Sequence, residues 1–166
     1  VPSSLAPLMV TPLLLILLFV LATGEEVGWM GYAFESMQVR SGALQAALLL
    51  GMIWAFWHVP FFIFMMPDPF VLCTRVIILI GVRILFAWTY NNTGKSVFAV
   101  ILMHACDNTA LMSMPKIDDI IPMGIVVHGS FILTSAIIVA VLWGERTLSK
   151  YRFSNRQSSN SNTNMT

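Results

Sequence analysis

The sequence predicts an all-α fold, a polytopic transmembrane helical bundle of about five spans. Three observations predict it. The chain of 166 residues is 57% hydrophobic and 10% charged, with mean hydropathy +0.80; a soluble domain carries ~25% charged residues. Five apolar runs reach or approach the ~20 residues that cross a bilayer: about Leu5–Ala22, Ala43–Met66, Phe70–Tyr90, Ser96–Met114 and Ile120–Trp143. Threading the chain through these runs puts Arg40, Lys95 and the basic residues Arg146, Lys150, Arg152 and Arg156 on one side, with Asp68, Asp118 and Asp119 on the other. The positive-inside tendency makes the first side cytoplasmic, so the C-terminus is expected there and Val1 on the far side. The lipid bilayer is the first expected partner; no nucleic-acid partner is expected.

Each element has its local reason. The first run holds Pro7 and Pro12 early and continues without a turn cluster through Gly24 to Arg40. It reads as one long or kinked helix, weakest at Gly24. With no basic stretch ahead of it, it does not read as a cleaved signal peptide, and a start at Val1 leaves room for upstream helices. Arg40-Ser41-Gly42 is a break, with Ser41 as a plausible N-cap for the second helix. That helix contains Pro60, whose missing N–H frees the carbonyl of Phe56 and predicts a kink beside His58. Pro67-Asp68-Pro69 ends it. Asn91-Asn92-Thr93-Gly94 is a strong turn signal before the fourth span, and Pro115 to Asp119 closes that span. Residues 1–143 thus read as one membrane domain, and 144–166 as a polar, basic, disordered cytoplasmic tail. Cys73 and Cys106 make no disulfide framework and read as small packing residues.

Against this background a few polar residues stand where an apolar chain should not have them. They are Glu25-Glu26, His58, His104 and Asn108. A charge at the centre of a membrane helix costs roughly 2.5–3.5 kcal/mol on insertion scales. Such groups persist when they pair, line a cavity or do chemistry. Each has a bland explanation too: an interfacial acid pair for the glutamates, an imidazole bonded to a backbone carbonyl for His58, an interhelical hydrogen bond for His104 and Asn108. His104 and Asn108, four apart, share a helix face. Taken together, carboxylates, imidazoles and a carboxamide from three segments make the inventory of a hydrolytic site. Asp107 is ionisable and costly if it faces lipid. Arg75, near a span end, is expected to snorkel. His128 reads as structural, and the aromatic-rich second span as packing.

The residues resemble a known family. Glu25-Glu26-Val27-Gly28-Trp29-Met30-Gly31-Tyr32 looks like the diglutamate signature of the CAAX-prenyl-protease and bacteriocin-processing (CPBP, or Abi) intramembrane proteases. Trp54-Ala55-Phe56-Trp57-His58-Val59-Pro60 resembles the family's second motif, and Asn91 to Ser96 followed by His104 to Thr109 its third. The match covers about residues 24–109, in the family's order and spacing. Two positions depart from it: Met30 stands where the family usually has Arg, and Trp54 where it usually has Phe. The resemblance implies a catalytic cavity opening to the cytosol and endoproteolysis of a peptide or prenylated protein near the membrane.

The expected chemistry follows from these side chains. Glu25 takes a proton from an attacking water, His58 and Asn108 donate to the developing oxyanion, His104 positions the water or Glu25, and Glu26 supports packing or shares the proton. No cofactor is needed for this. The alternative is a divalent metal such as zinc held by Glu25, His58 and His104, although the compact His-Glu-x-x-His arrangement is missing. Two buried carboxylates without a cation do not both ionise, and Arg83 is the residue expected to face inward and pair with Glu25 or Glu26. The second functional reading is a non-catalytic immunity or binding membrane protein that keeps the protease fold, favoured by Met30. A transporter is a third, weakened by the lack of inverted repeats.

Overall fold

A computed structural model describes residues 6–65, 68–113 and 121–149, with side chains from residue 10 and, in the last stretch, from residue 124. Pro67, the Pro115 to Asp119 segment and the tail from Lys150 onward lie outside the described residues. Helix α1 (Ala6–Gly28) runs through a π-helical turn (Trp29–Phe34) into α2 (Glu35–Ser41) without a break. Then come α3 (Ala43–Met65), α4 (Pro69–Asn92), α5 (Val97–Ser113) and α6 (Ile121–Trp143). No strand occurs among the described residues.

Four rods are long and apolar enough to cross a membrane: Val10–Ser41, Ala43–Met65, Pro69–Asn92 and Gly124–Trp143. α5, the fifth expected span, is apolar but has only 17 residues. The apolar side chains left outside the bundle are large, among them Leu13 (68% exposed), Phe64 (86%) and Phe131 (70%). Such a surface belongs against lipid, and the chain is an integral membrane protein.

α4 is the centre. It packs on α3 on one side and α6 on the other, while α5 lies against α1. Glycine permits the close crossings. A Cβ on Gly51 of α3 would lie 3.1 Å from the Cα of Ile80 and 3.3 Å from the Cβ of Arg83, so the two backbones approach at the level of that arginine. On the other side, a Cβ on Gly81 would come within 3.0 Å of Ile132 in α6.

Several local expectations need correction. The irregularity in the first rod is not at Gly24, which is helical with open space around it. It comes at Trp29–Phe34, where a π-helical turn brings both Met30 and Phe34 fully into the core. A π-turn adds a residue and re-phases the face, and here packing demands the re-phasing. Ser41 is not the N-cap of α3. Its hydroxyl donates back to the Met37 carbonyl at 3.1 Å, and Gly42, at φ 85°, makes the break; that left-handed geometry suits glycine. Pro60 lies inside α3, which continues to Met65. Both cysteines are free but exposed rather than packed; a thiol is apolar enough for that surface. Asp68 caps α4 by accepting from the Val71 N–H at 2.9 Å.

The end of the bundle that carries Arg40 is tied together by polar contacts. Lys95 pairs with Glu35. The residues after α6 dock there too. The Ala43 and Leu44 N–H groups donate to the carbonyls of Arg146 and Glu145, at 2.9 and 3.0 Å. Asn91 and Asn92 donate to the carbonyls of Thr147 and Leu148, each at 2.7 Å. Leu148 is fully buried. The disorder expected from residue 144 therefore does not describe 144–149, because the helix ends at Gly42 and Asn92 use those carbonyls. The arrangement brings Arg40, Lys95 and the start of the tail to one end.

Candidate active site

The site forms where α1, α3, α4 and α5 meet. Glu26 is the hub and is fully buried. Its Oε2 accepts from Nη1 of Arg83 at 2.7 Å, and neither side chain has any exposed surface. Its Oε1 lies 2.9 Å from Nδ1 of His104. An ionised carboxylate only accepts, so His104 donates through Nδ1 and keeps Nε2 available. Arg83 had been expected to turn inward toward the glutamates, and it does.

Glu25 points differently, as adjacent helix residues must. It is half-buried, and its Oε2 accepts from the indole Nε1–H of Trp54 at 2.9 Å. It lines a cleft of ≈ 400 Å³ bounded by Gly24, Gly28, Trp29, Ala33 and Trp57. The two glutamates are thus divided, one sealed among partners and one at the wall of an open cleft. A second hollow, ≈ 220 Å³ between α3, α4 and α6, is lined only by apolar residues and glycine and carries no chemistry.

Trp54 joins the parts. Its ring lies under the Arg83 guanidinium, 4.0 Å from Cζ to the centroid, a cation–π distance. The same ring stands 5.5 Å from that of His104 and 4.7 Å from that of His58. Sequence reasoning treated Trp54 as a mild aromatic replacement and missed it as a functional residue. The signal was there: an indole brings an N–H donor that phenylalanine lacks.

His58 is not in direct contact with the glutamates. Its Nδ1 bonds to the Trp54 carbonyl at 2.8 Å, and its ring packs against Trp54, Trp57 and Phe62. The carbonyl it uses is that of Trp54, because a side chain four residues on lies over its own preceding turn. Asn108 is half-buried one turn beyond His104 and has no hydrogen-bond partner among the described residues. Glu25, Glu26 and His104 therefore come together with Arg83 and Trp54, while His58 and Asn108 flank them.

The expected metal set of Glu25, His58 and His104 is not the one assembled. Among the described residues, the donor atoms that gather within 4.8 Å are those of Glu25, Glu26 and His104. They fit zinc poorly. Both oxygens of Glu26 already accept hydrogen bonds, one from a guanidinium that would repel a divalent cation, and His104 has one nitrogen committed to Glu26.

A second polar pair links α5 and α6. Asp107 meets Nε2 of His128 at 3.3 Å, which removes the cost of a lipid-facing carboxylate and gives His128 its structural partner. Arg75 does not snorkel freely. It is half-buried and its Nε is enclosed.

Comparison with known proteins bears on the family of the chain. The family model described as "Type II CAAX prenyl endopeptidase Rce1-like" matches residues 7–110. A curated relative, CAAX prenyl protease 2 of Methanococcus maripaludis, is 29% identical over 135 residues, covering 75% of this chain and 48% of the relative. The chain thus spans about half the length of that relative. No solved structure matches it. The family match over more than half its length leads to one conclusion: the chain belongs to the Rce1-like family of type II CAAX prenyl endopeptidases.

Proposed function

We propose that this protein is an intramembrane endopeptidase that cleaves a prenylated CAAX-type or other membrane-proximal peptide with a water activated by Glu25. The observation that carries the reading is the division of the glutamates. Both oxygens of Glu26 are engaged, by Arg83 and by His104, while Glu25 lines the cleft with one oxygen that has no hydrogen-bond partner among the described residues. In the proposed step Glu25 removes a proton from water and the resulting hydroxide oxygen bonds to the scissile carbonyl carbon. The proton passes to the leaving amine as the C–N bond breaks. His104 holds the water through Nε2. Asn108 donates an amide N–H to the oxyanion, a contribution of about 3–4 kcal/mol for one good donor. His58, with Nδ1 tied to a carbonyl, donates through Nε2 when protonated.

The non-catalytic reading rested on the cation lost at Met30. Arg83 supplies a cation beside Glu26, which supports the enzyme. The test is proteolysis of a farnesylated CAAX peptide by the protein in detergent. Cleavage is expected to persist in excess chelator. Loss of cleavage on chelation, restored by Zn²⁺, would sink the metal-free step, and absence of cleavage under all conditions would favour the binding protein.

The clustering of Arg40, Lys95 and the start of the tail at one end supports a cytoplasmic C-terminus. A single cysteine introduced at Ser149 is expected to be protected from an impermeant thiol reagent added outside intact cells, in a background lacking Cys73 and Cys106. Labelling from outside would reverse the orientation.

A further inference from the structure

Neither departure from the family motifs is an isolated loss. The Met30 side chain is fully buried in the core and carries no charge. The guanidinium that pairs with Glu26 comes instead from Arg83 of α4, a residue outside the three motifs. It can sit there because Trp54 offers an aromatic face 4.0 Å from Cζ, with Phe86 at 5.3 Å on the same cation. Gly51 admits the close approach, since a Cβ there would lie only 3.3 Å from the Arg83 Cβ. The indole that supports Arg83 also donates its N–H to Glu25. One chain of contacts therefore runs from Glu25 to Trp54, to Arg83, to Glu26 and to His104.

We propose that Arg83, seated on Trp54, is the positioning residue that gives two adjacent glutamates different jobs. Its charge holds Glu26 as the ionised acceptor that orients His104, and its seat orients the indole that holds Glu25 toward the cleft. The physical need is plain. Two neighbouring carboxylates at this depth compete for one proton unless a cation is fixed on one of them, and the guanidinium fixes it with a directed Nη1–H bond while its flat face rests on Trp54. Arg83 is sealed from the cleft, so it acts through the glutamates and not on substrate. This inference rests on the endopeptidase reading above.

The experiment compares five variants of the full chain in detergent with wild type and Glu25→Gln, on the farnesylated CAAX peptide. Activity is normalised to folded protein by size-exclusion and thermal unfolding. Arg83→Gln is expected to lower kcat about 100-fold with KM changed less than twofold, because the water and its base lose alignment while the cleft is untouched. Arg83→Lys, which keeps the charge but not the flat guanidinium on Trp54, is expected to fall between. Met30→Arg added to Arg83→Gln is expected to recover at least tenfold of the loss, since residue 30 lies one turn from Glu26 on the same helix. Trp54→Phe keeps a ring under Arg83 but loses the donor to Glu25, and is expected to lower kcat without restoring it when Met30→Arg is added.

Wild-type cleavage that Glu25→Gln abolishes, together with a folded Arg83→Gln of unchanged kcat, overturns the inference and leaves the endopeptidase reading standing. If Arg83→Gln does not fold, Arg83→Lys and the Met30→Arg/Arg83→Gln double variant decide: unchanged kcat in the first, or no recovery of a folded double variant, overturns it. No cleavage by wild type overturns both.

Discussion

Glu25→Gln is expected to abolish peptide cleavage while leaving the protein as stable as before. A general base contributes about 10²–10⁴ in rate, and an amide of the same shape has no basicity to contribute. The substitution is conservative in every other respect. The amide oxygen can still accept from the Trp54 indole, which now donates to Glu25 at 2.9 Å. Glu25 carries no ion pair among the described residues, and it borders the open cleft rather than the sealed core. Single-turnover cleavage of a farnesylated CAAX peptide measures the first half, and thermal unfolding in detergent the second. A Glu25→Gln protein that cleaves at the wild-type rate removes Glu25 as the base.

Glu26→Gln is expected to do the reverse to stability, costing about 3–5 kcal/mol, the usual cost of leaving one partner of a buried ion pair unpaired. Arg83 has no exposed surface, and its Nε and Nη2 have no hydrogen-bond partner among the described residues. The Glu26 carboxylate is therefore its one direct counter-ion among those residues. Glutamine can accept a hydrogen bond but cannot balance the charge, and the Trp54 face offsets only part of it. His104 loses an ionised acceptor at the same time. Denaturation in SDS titrated into mild detergent reads the difference, and Glu26→Gln is expected to unfold well before Glu25→Gln. Equal midpoints for the two variants would contradict the sealed pair seen here. Two residues adjacent in the chain and identical in chemistry thus have opposite expected phenotypes, because a helix turns about 100° between them.

The membrane bundle, the spacing of the motifs and the identity of the polar residues were legible in the chain by itself. Apolar length and the cost of charge in lipid are local properties that composition carries directly. That Arg83 would turn inward also followed from the sequence, since two buried carboxylates need a cation and the motif position held Met30. What the sequence could not decide was direction. Which glutamate would be sealed and which would face a cleft depends on rotation of α1 against α3 and α5. The π-helical turn at Trp29–Phe34 lies just beyond the pair, and sequence periodicity did not announce it. The roles of Trp54 and Asp107 were hidden for the same reason. An indole reads as packing until its N–H meets Glu25, and a lone aspartate reads as a liability until His128 arrives from α6. The sequence by itself determined the membrane bundle and which polar groups it carries among its apolar helices. Only the tertiary structure decided which of them meet, because hydrogen bonds and ion pairs depend on angstrom-scale approach between helices distant in the chain.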